Sequence, residues 1–275
     1  MLTKNGGCAK RLTNQKPSTA PCLNIAKLGI VSRDFRNECK SRFRGFGDVM
    51  PEVLRILDVE KCDSVLFSLY SLVQHDGSFV KNILNKLQLD HVKTIFLEEY
   101  LDGEIREIKR FVVYHTTGEG WSEYAFMQKF GSITAMPQKE IQDFVKNEMP
   151  KRILGNCCVL LCGETNGVKY SPKDKNVKDT FGVRAAIPKH TNIVLNPIHD
   201  RMTRFEMKLK RQFLSEQGRW VVSVWNKGKK DNDDKVRDGK NPAWTVYHNG
   251  QNIVIPLIQS ELPGIEIGIL EITKV

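Results

Sequence analysis

The chain has 275 residues, of which 40% are hydrophobic and 27% charged, and it carries a net charge of +10 at pH 7. That length supports one large core or two small ones. The composition is that of an ordinary globular protein, and no apolar run approaches the ~20 residues a membrane helix needs. Seven cysteines, an odd count without repeated spacing, argue against a disulfide framework or a zinc site and point to a reducing, cytoplasmic compartment.

The basic excess is spread along the chain. Its tightest group, Lys227-Gly228-Lys229-Lys230, is followed at once by Asp231, Asp233 and Asp234. A solvated surface of mixed charge is therefore the favoured reading, and a nucleic-acid partner the second. Residues 1–22 are polar and proline-bearing and read as a loose N-terminal arm, without the apolar core of a signal peptide. From residue 23 onward a single domain is expected.

Residues 23–31 read as a first strand, and the basic stretch 33–47 as a loop or frayed helix. Asp48 can cap a helix that has Pro51 in its first turn and Val53, Leu54, Ile56 and Leu57 on one face. A short buried strand follows at 64–69 and an amphipathic helix at 78–89. Two strands, 92–97 and 108–114, flank the turn dipeptide Asp102-Gly103. Residues 121–130 continue as strand, and Pro137 opens a helix to Met149.

The second half repeats the alternation. A strand runs to Cys162, a loop spans 163–180, and a strand at 191–197 is stopped by Pro197. A basic helix covers 204–217 and ends near Gly218. The strand 219–225, a charged loop 226–241, a hairpin around His248-Asn249-Gly250 and a last strand 265–272 complete the chain. Strands alternating with helices, then a strand-rich tail, indicate a mixed α/β domain.

The organising stretch is Cys157-Cys158-Val159-Leu160-Leu161-Cys162-Gly163-Glu164. An apolar run that ends in a thiol, a glycine and a carboxylate reads as a buried strand presenting Cys162 at a sheet edge. Glu164 would share its face if the strand continued. His199 follows the strand 191–197, at the kind of strand end where pockets open in such sheets, and is a candidate substrate-binding group.

In order and spacing these blocks resemble the nitrilase superfamily, the carbon–nitrogen hydrolases. Leu160-Leu-Cys-Gly-Glu164 is similar to that family's nucleophile strand, and Lys129 in Gln-Lys-Phe-Gly lies near the place of its lysine. Thr191–Pro197 resembles the strand after the nucleophile, Trp220–Gly228 the block of strand, Asn, x, Gly, and Pro242–Gly250 the small-residue hairpin. The resemblance implies a four-layer α-β-β-α sandwich with mixed sheets, a homodimer, no cofactor and no metal. It implies cleavage of a non-peptide amide or nitrile through a thioester or thioimidate on Cys162, with Lys129 at the oxyanion.

The family's general-base glutamate is missing: Leu69 stands at the matching position. Glu164 or Glu140 is then the candidate proton carrier. Glu140 resembles a second acid that some members place near the pocket. The alternative reading is a nitrilase-like module that has lost hydrolysis and binds a small ligand, a nucleotide or a nucleic acid.

Overall fold

The computed structural model describes residues 19–34, 46–69, 72–74, 79–101, 108–131, 137–199, 205–228, 235–236, 238, 242–258 and 260–272. Most of the expected N-terminal arm, the Asp102-Gly103 turn and most of the charged loop 226–241 lie outside them.

In chain order the first half gives β1 (Lys27–Arg33), α1 (Phe46–Val59), β2 (Ser64–Phe67), β3 (Leu72–Gln74), α2 (Phe79–Leu84), β4 (Thr94–Leu101), β5 (Ile108–Thr117) and β6 (Gly120–Phe126). A helical run follows. It begins as α3 (Gln138–Asp143), widens to a π turn over Phe144–Glu148 and tightens to a 3-10 turn over Met149–Arg152. The second half gives β7 (Ile153–Leu154), β8 (Cys157–Val159), β9 (Lys169–Ser171), β10 (Asn176–Lys178), β11 (Ile193–Pro197), α4 (Phe205–Ser215), β12 (Trp220–Val224), β13 (Trp244–His248) and β14 (Gln251–Ile253). The chain ends with β15 (Leu257–Ile258) and β16 (Ile265–Glu271).

The strands form two main sheets. One has the order β15-β16-β1-β2-β4-β5-β6, with β3 also paired to β4; the other has the order β14-β13-β12-β11-β8-β7. Both are mixed. The pairs β1/β2, β2/β4, β3/β4, β8/β11 and β11/β12 are parallel, and the remaining pairs antiparallel.

Side-chain alternation then builds the layers. Leu28, Ile30, Leu66 and Phe96 from the first sheet meet Cys157, Val159, Leu195 and Val222 from the second in the central core. The opposite faces of the same strands carry Val31, Val65, Phe67 and Ile95 against α1 and α2. Cys158, Leu160, Val194 and Val221 pack against Ile141, Phe144 and Leu214 of the other helical layer. Strands covered on both faces need unbroken apolar runs, which is why the sequence shows runs and not alternation. The result is the expected four-layer α-β-β-α sandwich.

Two local expectations are corrected. The strand does not reach Cys162: β8 stops at Val159, and a 3-10 helix begins at Cys162 and runs to Gly167. The stretch 163–180 is not a plain loop, because β9 and β10 form an antiparallel hairpin there. The hairpin at Asn249-Gly250 is as expected, with φ of 49° and 76°, the paired left-handed residues of a tight two-residue turn. Among the described residues no helix is long and apolar enough to cross a membrane.

Candidate functional site

Parallel strands that end together leave their C-terminal edge as the natural place for a site. Here β1, β2, β8, β11 and β12 end together, and polar side chains tie their ends. Asn226, just past β12, is buried. Its Nδ2 donates to the Leu69 carbonyl at 2.7 Å, and its Oδ1 accepts from Ser68 Oγ and from the Arg33 amide at 3.3 Å. Asn196 in β11 donates to the Leu160 carbonyl at 2.6 Å and accepts from Ser223 Oγ at 3.0 Å. The chain leading into Cys162 is thereby fixed from its neighbouring strand.

Cys162 occupies a sharp turn. Its φ is +36°, a left-handed conformation that costs a side-chain-bearing residue on the order of 1–3 kcal/mol and persists only where the surroundings enforce it. Glu164 enforces it from one side. Its Oε2 accepts from the Leu161 amide at 2.8 Å, and its Oε1 accepts from the Lys129 amide at 2.8 Å and Arg152 Nη2 at 2.9 Å. Thr165 Oγ1 adds a bond to the Cys162 carbonyl at 3.1 Å. Gly163 allows the residue 131 backbone to pass closely: a Cβ there would sit 1.6 Å from the Gly131 carbonyl oxygen. Cys162 as a residue is 8% exposed.

A histidine stands beside Cys162. His199, two residues past β11, lies near enough for the two side chains to interact electrostatically. Its Nε2 lies 3.1 Å from both carboxylate oxygens of Glu98, which is 4% exposed. Glu98 sits on β4 two residues after Phe96 and so faces the space between the sheets. Burial alone would pull the imidazole's pKa down. Its interactions with Cys162 and with the Glu98 carboxylate outweigh it and hold His199 at about 9.

The other sequence candidates lie elsewhere or do other work. Glu164 is fully buried, and its three donors hold the turn that carries Cys162. Burial raises its pKa, against Arg152 and the two amides. Because Glu164 belongs to the 3-10 helix, the strand argument that put its carboxylate beside the sulfur does not apply. Lys129 touches this assembly through its amide. Its ammonium pairs with Glu148 at 3.3 Å, and its side chain is 42% exposed. It lines an open surface hollow of about 350 Å³ with Tyr124, Phe126 and Lys151. Glu140 is exposed on α3. Leu69 is fully buried in the central core.

Sequence reasoning singled out Cys162 and His199, which the structure brings together. It missed Glu98, which lies at the end of the run Thr94-Ile-Phe-Leu-Glu-Glu99. Two carboxylates closing an apolar strand were the available signal, since β4 continues through them. It also gave no chemistry to Arg211 on α4. That side chain is fully buried, with Nη1 donating to Thr245 Oγ1 at 3.1 Å, and burial pulls its pKa down to about 10 against the charges of Tyr247 and Cys162. Among the described residues no group of three or more His, Cys, Asp or Glu side chains is placed to hold a metal ion.

No family model matches the sequence, and no curated protein sequence matches it. In shape the chain is similar to a CN-hydrolase superfamily protein from Xanthomonas campestris solved with an arsenic adduct in its active site. That match has 13% identity and a TM-score of 0.51 over 91% of each chain. A carbon–nitrogen hydrolase from Helicobacter pylori G27 aligns over 90% of this chain and 89% of its own, at 10% identity and TM-score 0.49. A glutamine-dependent NAD(+) synthetase from Cytophaga hutchinsonii aligns over 90% of this chain and 43% of its own, at 10% identity and TM-score 0.48. At such identities the likeness concerns architecture alone: the chain carries the mixed α/β fold of the CN-hydrolase structures.

Proposed function

We propose that this chain is a cysteine-dependent hydrolase of a non-peptide C–N bond, an amide or a nitrile, in which His199 and Glu98 perform the proton transfers. The observation that carries the reading is the position of His199, held through Nε2 by Glu98 and in electrostatic contact with Cys162. A nucleophile, a base and a carboxylate that orients the base make the constellation acyl transfer requires.

The steps follow from the residues. His199 starts the cycle already bearing the proton, and the Cys162 sulfur, relieved of its own, attacks the carbonyl or nitrile carbon. With Nε2 held by Glu98, Nδ1 is the nitrogen left for this exchange. His199 then returns the proton to the departing amine, leaving a thioester, or to the nitrile nitrogen, giving a thioimidate. A first water expels ammonia from the thioimidate to give the same thioester, and water activated by the imidazole then releases the acid and returns the sulfur and His199 to their starting state. The raised His199 favours the proton-bearing imidazole, the form that acts as acid toward the leaving nitrogen. A small-molecule substrate is proposed, with no cofactor.

A second reading is a module that binds without hydrolysis. One observation favours it: an apolar, fully buried Leu69 stands where the nitrilase resemblance places a glutamate base. Intact-mass analysis after incubation with amide and nitrile libraries decides between them. The hydrolase reading expects an adduct on Cys162 that disappears in Cys162→Ala and forms at least 10²-fold more slowly in His199→Gln, the usual cost of losing a general base. Turnover that is unchanged in Cys162→Ala sinks it. No adduct and no turnover across the libraries leaves the binding module as the reading that stands.

A further inference from the structure

We propose that Arg211 forms an anion-binding subsite beside Cys162, so that the substrate carries a carboxylate or an equivalent oxyanion near its scissile bond; this rests on the hydrolase reading above. Arg211 projects from α4, is fully buried, and uses only Nη1, on Thr245 Oγ1 at 3.1 Å. Its Nε and Nη2 are buried and have no hydrogen-bond partner among the described residues. Those two nitrogens are the parallel pair of the guanidinium, the edge whose geometry matches a carboxylate bidentately.

A buried guanidinium without a counter-charge is costly, and native chains keep such groups paired. Among the described residues no carboxylate pairs with Arg211. The acidic groups whose charge reaches it are the Tyr247 phenol and the Cys162 thiol. The contrast with the other fully buried arginine is direct. Arg152 also has unpartnered nitrogens, but Glu164 neutralises it at 2.9 Å and the Phe126 ring stacks on it at 4.1 Å. Arg211 has neither. The geometry ties that free edge to the nucleophile's turn. Thr245 stands opposite Ser223, Ser223 Oγ donates to Asn196, and Asn196 donates to the Leu160 carbonyl two residues before Cys162. The neighbouring Lys210 Nζ donates at 2.9 Å to Asn166 Oδ1 in the 3-10 helix that Cys162 opens. That is where a substrate's own negative charge completes the pairing.

Two near-isosteric alkylating agents test this without knowledge of the substrate. Iodoacetate and iodoacetamide both alkylate the sulfur, a C–S bond forming as iodide leaves to solvent, and differ only in carrying a carboxylate or an amide. The ratio of their labelling rates at Cys162, followed by peptide mass spectrometry, is compared between the intact chain, Arg211→Lys and Arg211→Met. The expected result is a ratio that falls about tenfold in Arg211→Met, the size of a lost charge-assisted hydrogen-bonded pair, with iodoacetamide labelling retained. Arg211→Lys, which keeps the charge and loses the fork, should fall in between. A ratio that is the same in all three overturns the subsite and leaves the hydrolase reading intact. No labelling by either agent overturns both.

Should Arg211→Met not fold, the wild-type chain supplies the measurement. Acetate should protect Cys162 from iodoacetamide at about tenfold lower concentration than acetamide does. Equal protection, or none, overturns the proposal.

Discussion

His199 Nε2 lies 3.1 Å from both oxygens of Glu98, although the two residues are 101 positions apart and belong to different sheets. Glu98 comes from β4 in the first sheet, and His199 from the end of β11 in the second. The contact spans the sandwich at the edge where Cys162 sits, so the proposed proton machinery depends on how the two sheets dock. A loosened sandwich should lose reactivity at Cys162 before it loses secondary structure.

The raised His199 makes folding depend on pH. A histidine that titrates at 6.5 when unfolded and at about 9 when folded binds a proton more tightly in the folded state. Its contribution to stability is complete below about pH 6.5 and is lost as pH rises through about 9. At about 1.4 kcal/mol per pKa unit the ceiling is about 3 kcal/mol. The stability difference between the wild type and His199→Gln, from urea midpoints, should shrink over that window. A difference that is flat from pH 6 to 9.5 contradicts the ion-pair reading.

Glu164 should behave as a structural carboxylate. Its two oxygens accept from Lys129, Leu161 and Arg152 while buried. In Glu164→Gln one oxygen becomes an amide donor. Either it faces the Leu161 N–H donor to donor, or it leaves the Lys129 amide and Arg152 unsatisfied. Breaking a buried pair of this kind costs roughly 3–5 kcal/mol. The expected outcome is a large fall in the urea midpoint, with Cys162 in the molecules that remain folded still labelled by iodoacetamide.

The layering was legible because strands buried on both faces must be written as apolar runs. Leu160, Val194 and Val221 on one side of the second sheet, and Val159, Leu195 and Val222 on the other, leave no polar position to misread. The proton carrier was not legible, because it is assembled from two sheets. Nothing local in Phe96-Leu97-Glu98-Glu99 says that one carboxylate turns inward to His199 while the next turns outward to Arg110 and Tyr114. Strand parity decides that, and parity counts only once the pairing register is known. The 3-10 turn at Cys162 was hidden for a related reason: Glu164 acts there as the group that bends the chain, a role that sequence spacing does not separate from catalysis.

Lys129 provides a sharp contrast with the expectation drawn from the resemblance. Its ammonium pairs with Glu148 at 3.3 Å in a half-exposed position. Surface pairs of this type contribute about 0.2–1 kcal/mol. Lys129→Met should therefore shift the urea midpoint by less than about 1 kcal/mol, and the rate of Cys162 acylation by about threefold or less. Loss of an oxyanion donor costs about 10²–10³ in rate. A fall of that size would return Lys129 to the chemistry.

Gly163 and Gly29 give the last comparison, since a methyl group on either meets an obstacle of a different kind. At Gly29 the new Cβ would lie 2.7 Å from the Leu57 methyl carbons, the ends of a side chain that can rotate away. At Gly163 it would lie 1.6 Å from the Gly131 carbonyl oxygen, which is backbone and also accepts a hydrogen bond from Asn166 Nδ2 at 3.1 Å. Overpacking against a movable side chain typically costs about 1–3 kcal/mol. A backbone collision must be relieved by moving the turn itself, and that turn holds Cys162 against His199. Gly29→Ala should thus lower the urea midpoint and leave Cys162 labelling intact. Gly163→Ala should cost more stability and slow labelling at least tenfold even where it folds, because a shift of about 1 Å in a reacting group carries a penalty of that order or larger. Equal labelling rates in the two variants would mean that the close approach of residues 131 and 163 does not set the position of the thiol.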